Sequence, residues 1–274
     1  MTDPTGRRGQ VHLLRWYFRR IFQMKKCILM ALWALTALFL LAGCGKKTPA
    51  GTWIIAADND LSPFIYAGAD GKAAGLDAEI LEAIAEDQGF RYELRLSDWN
   101  TAMGVFTSHQ AQVLLGSLAS NQERADGGWY FSSSFYDGVT QSMAMEPSSD
   151  TNTLEDLAGK AVAVVSGSLG AEYAKSLKDQ YGFSIATYKD SHAMYAAVLD
   201  GTAAACFEDT EAMRDSIESG IGLQMVESSE SRPVGYCVAV CNAENRTFLE
   251  LFDKGLENIK ANGTYDRLLA KYAK

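Results

Sequence analysis

From residue 52 onward, short runs of apolar residues alternate with longer segments in which apolar residues recur every three or four positions. A short apolar run indicates a strand, and the longer spacing indicates one buried face of a helix. The runs predict strands at 52–57, 90–96, 113–115, 161–165, 184–188, 203–207 and 236–240. The spaced segments predict helices at 76–88, 99–106, 171–180, 192–200, 210–219, 244–261 and 264–272, and residues 58–75 are predicted to form a loop.

This alternation predicts an α/β fold with mostly parallel sheets flanked by helices. In open sheets of this kind, ligands bind beyond the carboxyl ends of the strands. The polar positions at those ends are therefore the first candidates for a site: Asp58, Gly116, Ser117, Ser166, Gly167, Ser168, Glu208 and Asp209.

The N-terminal segment has the pattern of an export signal. Lys25 and Lys26 precede a 17-residue run, 27–43, in which Thr36 is the clearly polar residue. A basic start, a short apolar run and small residues at its end are typical of a secretory signal peptide, and the run is shorter than the roughly 20 residues of a spanning helix. We interpret Met24 as the start of translation and residues 1–43 as the signal region, the alternative being an uncleaved anchor helix.

Residues 41–44, Leu-Ala-Gly-Cys, resemble the bacterial lipobox. The resemblance implies cleavage before Cys44 and attachment of a lipid to its thiol, so that residues 44–51 form a tether. We therefore expect an extracytoplasmic protein that contacts the membrane through the lipid alone.

The charge of the remaining chain excludes two classes of partner. The 274 residues carry a net charge of −9, and without residues 1–43, which hold seven of 25 basic and one of 34 acidic residues, the balance becomes −15. An acidic body argues against binding to nucleic acid or to anionic lipid.

Cysteine and histidine usage points to neither disulfides nor metals. Three cysteines remain after residue 44, an odd number, and Cys237 and Cys241 would lie about 13 Å apart in a single strand, too far to bridge. We interpret these two and Cys206 as small buried apolar residues. No histidine pair has the spacing of a zinc site, and we expect no cofactor.

Eight segments, in order along the chain, resemble the family 3 extracellular solute-binding proteins, the amino-acid receptors of ABC importers. They are residues 57–64, 71–77, 97–99, 121–124, 130–136, 154–160, 164–168 and 262–266. The resemblance implies a type II periplasmic-binding-protein-like fold with a two-strand hinge. Lobe 1 would comprise 52–142 plus 238–274, and lobe 2 would comprise 147–233.

The resemblance implies a site that holds both ends of a free amino acid. Arg124 would bind the α-carboxylate with its planar, permanently charged fork. Ser168 and the backbone at Leu169 would assist at a helix N-terminus, where amides favour an anion. Asp209 would receive the ammonium.

The same resemblance assigns four further residues. The carbonyl of Gly116 and the hydroxyl of Ser117 would help Asp209, Trp99 would form a wall against the ligand side chain, and Asp58 would point at its far end. Asp58 and Glu208 favour a polar or cationic side chain. The chain departs from the family pattern at Leu61, Leu169 and Ala119, where family members carry an aromatic or hydroxyl group, so the resemblance leaves the side-chain specificity open.

Each of these residues also has a structural alternative. Arg124 would be a surface arginine in a salt bridge, Asp209 and Ser168 would only cap helices, Trp99 would be core, and Asp58 would shape a turn. Their convergence at strand ends favours the binding site.

We therefore expect a monomeric, non-catalytic receptor that captures an amino acid, with a polar side chain favoured, and delivers it to a membrane permease. One alternative is an enzyme of the cyclohexadienyl dehydratase type on the same fold, with Glu208, Asp58 or Glu172 as the acid. The other is a sensory ligand-binding domain.

Overall fold

The computed structural model describes residues 51–116, 118–226 and 233–272. The predicted signal region, Cys44, residues 45–50 of the tether and Ser117 lie outside the described residues. The strands are β1 (Thr52–Asp58), β2 (Asp60–Leu61), β3 (Ile65–Ala67), β4 (Ala73–Ala74), β5 (Arg91–Ser97), β6 (Val113–Leu115), β7 (Tyr130–Phe131), β8 (Tyr136–Val139), β9 (Gln141–Met145), β10 (Ala161–Val165), β11 (Ser184–Tyr188), β12 (Ala205–Asp209), β13 (Gln224–Val226), β14 (Val234–Tyr236) and β15 (Ala239–Val240).

Eight α-helices lie in the described ranges, with 3₁₀ turns at Glu155–Leu157 and Ala243–Asn245. The helices are α1 (Leu76–Gln88), α2 (Trp99–Thr107), α3 (Gln122–Asp126), α4 (Leu169–Tyr181), α5 (Ser191–Leu199), α6 (Thr210–Glu218), α7 (Arg246–Ala261) and α8 (Thr264–Tyr272).

The first large sheet has the strand order β5-β1-β6-β15-β7. Its first three strands are parallel, and β15 then adds antiparallel pairs with β6 and β7. Helices α1, α7 and α8 pack together, and their apolar faces share a core with the inward residues of β1 and β6. We call this sheet and its helices lobe 1.

The second large sheet has the order β11-β10-β12-β9-β13, again with two parallel pairs followed by two antiparallel ones. Helices α4, α5 and α6 pack on its strands. We call this sheet and its helices lobe 2. Gln141 and Ser142, predicted for lobe 1, pair with β12 in this second sheet.

Two strands form the connection between the sheets. The chain leaves lobe 1 through β8 to reach β9, and it returns from β13 through β14 to β15. Strands β8 and β14 pair with each other as an antiparallel ribbon. The ribbon has the form of the predicted two-strand hinge.

The α/β fold with mostly parallel sheets is confirmed, because four of the five strands in each large sheet run in the same direction and one strand, β15 or β9, runs opposite to them. Two details of the prediction change. The predicted loop 58–75 contains the small sheet β2-β3-β4. The predicted strand 236–240 splits in two, because the amides of Cys237 and Val238 bond to the Leu118 carbonyl and the Ser132 hydroxyl between the ribbon and the first sheet.

Asp77 occupies an unusual position for a carboxyl group. It lies in the first turn of α1 with 1% of its surface exposed, and neither side-chain oxygen has a hydrogen-bond partner within the described ranges. Burial, assisted by the nearby charge of Asp209, raises the pKa of Asp77 to about 8. Desolvation therefore outweighs the stabilisation that a helix N-terminus offers an anion.

We expect Asp77→Asn to flatten the pH dependence of stability. Because the folded-state pKa of Asp77 lies above its ordinary value of 3.8, this carboxyl stabilises the fold fully below about pH 4, and the stabilisation is lost as the pH rises toward 8. Urea unfolding should show that the wild type loses about 3–4 kcal/mol more than the variant between pH 5 and pH 8, because each pH unit between the two pKa values is worth about 1.4 kcal/mol. Glu86→Gln, on the exposed face of α1, is the control, and parallel curves for all three proteins would contradict the assignment.

We expect two glycine-to-alanine substitutions to have opposite effects. At Gly170 in α4, a Cβ would lie 2.4 Å from the carbonyl oxygen of Phe207, so Gly170→Ala should lower the free energy of unfolding by about 2–3 kcal/mol. Gly104 in α2 has open space around it, and Gly104→Ala should raise the free energy of unfolding by about 0.5–1 kcal/mol. Urea unfolding of both variants measures this, and a stable Gly170→Ala protein would refute the close packing of α4 on β12.

Candidate ligand-binding site

Arg124 reaches from lobe 1 to lobe 2. Its helix α3 begins after Asn121, whose side chain accepts a bond from the Arg124 amide at 2.8 Å. The guanidinium donates from Nη1 to the Ala119 carbonyl at 2.8 Å and from Nη2 to the Gly167 carbonyl of lobe 2 at 3.0 Å. The same Nη2 lies 2.9 Å from Oε1 of Glu172, and the Arg124 side chain is 10% exposed. Burial lowers the pKa of Arg124, and the charge of Glu172 opposes that effect.

The turn before α4 faces Arg124 and Trp99. Gly167 has φ +72°, which suits glycine, and a Cβ there would lie 3.8 Å from the indole nitrogen of Trp99. Trp99 is 1% exposed, and its nitrogen has no hydrogen-bond partner in the described part of the chain. Ser168 caps α4, because its hydroxyl accepts a bond from the Ala171 amide at 3.1 Å, and Leu169 is buried as the first residue of the helix.

Asp58 and Gly116 lie together at the carboxyl ends of β1 and β6. Gly116 has φ +107°, and a Cβ there would lie 3.8 Å from the Cβ of Asp58. The Asp58 carboxylate accepts a bond from the Asp60 amide at 3.1 Å, so Asp58 also shapes the turn. Burial raises the pKa of Asp58 to about 7 even though backbone amides bond to its charged form.

Glu208 and Asp209 end β12 and are both buried. Glu208 accepts bonds from the Ser191 hydroxyl at 2.8 Å and from the Asp209 amide at 3.1 Å. Burial, then the charge of Asp209 and more weakly that of Asp58, raise the pKa of Glu208. Asp58 of lobe 1 and Glu208 of lobe 2 are thus close enough to interact electrostatically.

Asp209 accepts bonds from the amide of Gln141 and the hydroxyl of Tyr236. Gln141 begins β9 and Tyr236 ends β14, so the two crossing connections hold this carboxylate in place. Asp209 precedes α6, yet its side chain makes no cap bond to that helix. The helix-cap alternative for Asp209 therefore does not describe its contacts.

Several polar contacts join the lobes at the rim of the site. Asn121 donates to Oε1 of Glu172 at 3.0 Å, next to the Arg124 contact. On another side, Nδ1 of His192 in α5 lies 2.5 Å from the carboxylate of Asp60 in β2. Beside Arg124 a cavity of about 520 Å³ opens, and both lobes contribute to its lining, including Trp129, Glu172 and Lys175.

The predicted residues form two groups of opposite charge. Arg124, Trp99, Ser168 and Leu169 meet at the Gly167 turn. At the acidic end, Asp58 lies beside Gly116, and the charges of Asp58 and Asp209 both act on Glu208, while the placement of Ser117 is not described. The predicted receptor site did not include the polar partners Asn121, Gln141, Glu172 and Tyr236, and Glu172 was considered only as an acid of the enzyme alternative. It also did not include Asp77, whose carboxyl group lies near the charge of Asp209. The two polar residues that precede the apolar residues 143–145 were the available signal for Gln141.

No helix in residues 51–116, 118–226 and 233–272 is long and apolar enough to cross a membrane. The same ranges contain no group of three or more histidine, cysteine, aspartate or glutamate residues arranged to hold a metal ion. The cysteines of the described chain form no disulfide, and Cys241 is partly exposed beside His109 rather than fully buried as expected.

Comparison with known proteins identifies relatives over most of the chain. The arginine-binding extracellular protein ArtP of Bacillus subtilis is 26% identical over 257 residues, covering 91% of this chain and 98% of ArtP. A probable histidine-binding protein of Campylobacter jejuni is 23% identical, covering 91% of this chain and 99% of the relative. Among solved structures, an ancestral arginine-binding protein bound to arginine superposes with a TM-score of 0.73 at 24% identity, covering 82% of this chain and 99% of that one, which shows the shared fold.

A family model supplies the assignment. The model of the bacterial extracellular solute-binding proteins, family 3, matches residues 53–274, which include both lobes and both groups of candidate site residues. The chain belongs to the bacterial extracellular solute-binding proteins of family 3.

Proposed function

We propose that this chain is the extracytoplasmic receptor of an amino-acid ABC importer and that its ligand is an amino acid with a cationic side chain. The observation that carries the proposal is the separation of charge along the seam between the lobes. A guanidinium bonded to both lobes lies at one end, and buried carboxyl groups from both lobes lie at the other. An amino acid of this class carries a negative α-carboxylate, which would face the guanidinium, and positive groups, which would face the carboxyl groups.

The two ends of the site are linked through the start of α4. Gly167 contacts Arg124, and Gly170 lies next to Gln141, the partner of Asp209. Because consecutive Cα atoms are 3.8 Å apart, Gly167 and Gly170 are separated by at most about 11 Å. The α-carboxylate would bind Arg124 and the start of α4, and the ammonium would bind Asp209.

The cationic side chain is inferred from Asp58 and Glu208. Their pKa values are raised by burial, which means that their charged forms are poorly compensated within the described structure. A guanidinium or ammonium group between them would supply the missing positive charge. Relatives named for arginine and histidine binding support this class of ligand.

Further elements complete the proposal. The predicted lobe bounds, 52–142 plus 238–274 and 147–233, are kept except that Gln141 and Ser142 belong to lobe 2. The receptor is a monomer that is anchored by a lipid on Cys44 and delivers its ligand to a permease without chemical change. The lipid anchor is supported by the order of segments in the sequence: the apolar signal run comes first, Leu-Ala-Gly-Cys ends it, and the folded residues follow.

We expect amino-acid binding to depend on Arg124. The full chain, unfolded and refolded to remove carried-over ligand, would be screened by thermal shift against the amino acids, cystine and prephenate. A ligand at 100 times its Kd should raise the melting temperature by about 5–10 °C. Arg124→Ala should weaken binding by about 100-fold or more, because a buried carboxylate would lose its partner.

The control is Arg246→Ala, an exposed arginine at the start of α7, which should leave the shift unchanged. A shift with prephenate and with no amino acid would reject the receptor proposal in favour of the dehydratase alternative.

We expect Glu208→Gln to change selectivity between arginine and citrulline, its neutral near-isostere. Loss of a charge-assisted bond should weaken arginine binding by about 10–100-fold and citrulline binding far less. Calorimetry on wild type and variant gives the ratio of the two affinities in each protein. An unchanged ratio, or a wild type that prefers citrulline, would contradict a cationic ligand. The control is Glu211→Gln, an exposed glutamate in α6 that pairs with Arg214, and it should leave the ratio unchanged.

A further inference from the structure

Glu172 occupies the part of Arg124 that a bound carboxylate needs. A guanidinium can hold a carboxylate by two parallel bonds either through both terminal nitrogens or through Nε and Nη2, and both arrangements use Nη2. In this structure Nη2 lies 2.9 Å from Oε1 of Glu172, while Nη1 bonds to the Ala119 carbonyl. A ligand carboxylate and the Glu172 carboxylate therefore compete for the same donor.

The Glu172 carboxylate is built into this position. Oε1 also accepts a bond from Nδ2 of Asn121 at 3.0 Å, so two groups of lobe 1 hold the same oxygen. Glu172 lies in the first turn of α4, where the unpaired amides of the helix favour a negative charge. Its backbone is fixed by the Ser168 cap and by the close packing of Gly170 on β12.

Glu172 is also the partner of Arg124 that can leave. The other lobe 2 partner is the Gly167 carbonyl, which belongs to the backbone. The Glu172 side chain is 39% exposed and borders the open cavity of about 520 Å³, so its carboxylate can turn into water without being stranded in the interior.

We propose that Glu172 is an internal competitor for the ligand carboxylate, a residue that sets affinity by occupying Arg124 until an amino acid displaces it. This inference rests on the proposed function, because it takes Arg124 as the carboxylate site. The carboxylate of Glu172 lowers the affinity of the receptor and gives the released Arg124 a partner when the ligand leaves.

The test measures affinity for arginine and for argininamide, which lacks the α-carboxylate, by calorimetry on the full chain. Glu172→Gln removes the competing charge and keeps the shape, and we expect arginine to bind about three- to tenfold more tightly while argininamide changes little. Glu172→Ala should give at least the same gain. Glu123→Gln is the matched control, an exposed glutamate of α3 whose nearest basic partner, Lys175, is 3.8 Å away, and it should leave both affinities unchanged.

The outcomes separate the two proposals. Unchanged or weaker arginine binding in Glu172→Gln would overturn the competitor role and identify the contact as a bridge that only holds the lobes together. An equal gain for arginine and argininamide would also overturn it, because relief of competition requires the ligand carboxylate. A wild type that binds no amino acid would reject the proposed function and the competitor with it. Since the ratio of arginine affinity to argininamide affinity is taken within each protein, partial loss of folded material does not imitate the expected result.

Discussion

The removal of carboxyl groups from water is the constraint on which the centre of this structure depends. Asp58, Asp77, Glu208 and Asp209 lie at strand and helix ends that converge near the seam, and burial raises the pKa of the first three. Such an arrangement costs stability unless protons, donors or a cation compensate the charge. The structure supplies donors to Asp209 from Gln141 and Tyr236, and the proposed cationic ligand would compensate Asp58 and Glu208.

Arg124 is the counterpart of this acidic end. Its guanidinium bonds to a carbonyl in each lobe, and Glu172 and Asn121 add contacts on the same side. The site is therefore not a rigid pocket within one lobe. Its cationic end exists in this form only while the Gly167 turn of lobe 2 lies against Arg124 of lobe 1, so the proposed carboxylate site and the contact between the lobes share the same residues.

Much of the fold was predictable because its elements are long or strongly patterned. Helix α1 and strand β10 have the predicted bounds, since a continuous stripe or run of apolar residues determines each of them locally. Strands β2 and β4 were missed because two residues are too few to show a period. The cap at Ser168 was predictable for the same local reason, whereas the contact between Arg124 and Glu172 was not. It joins residues 48 positions apart, and their distance is set by the packing of α4 on the second sheet.

The paired strands β8 and β14 have a consequence for the thermodynamics of capture. Two connections that run side by side as one hydrogen-bonded ribbon leave the lobes little freedom to twist or separate, so their relative movement is reduced to bending about a single line. Two lobes joined by one flexible linker would lose rotational and translational freedom each time they closed on a ligand. Here most of that entropy is already lost when the chain folds. A small ligand with few contacts can therefore hold the lobes together.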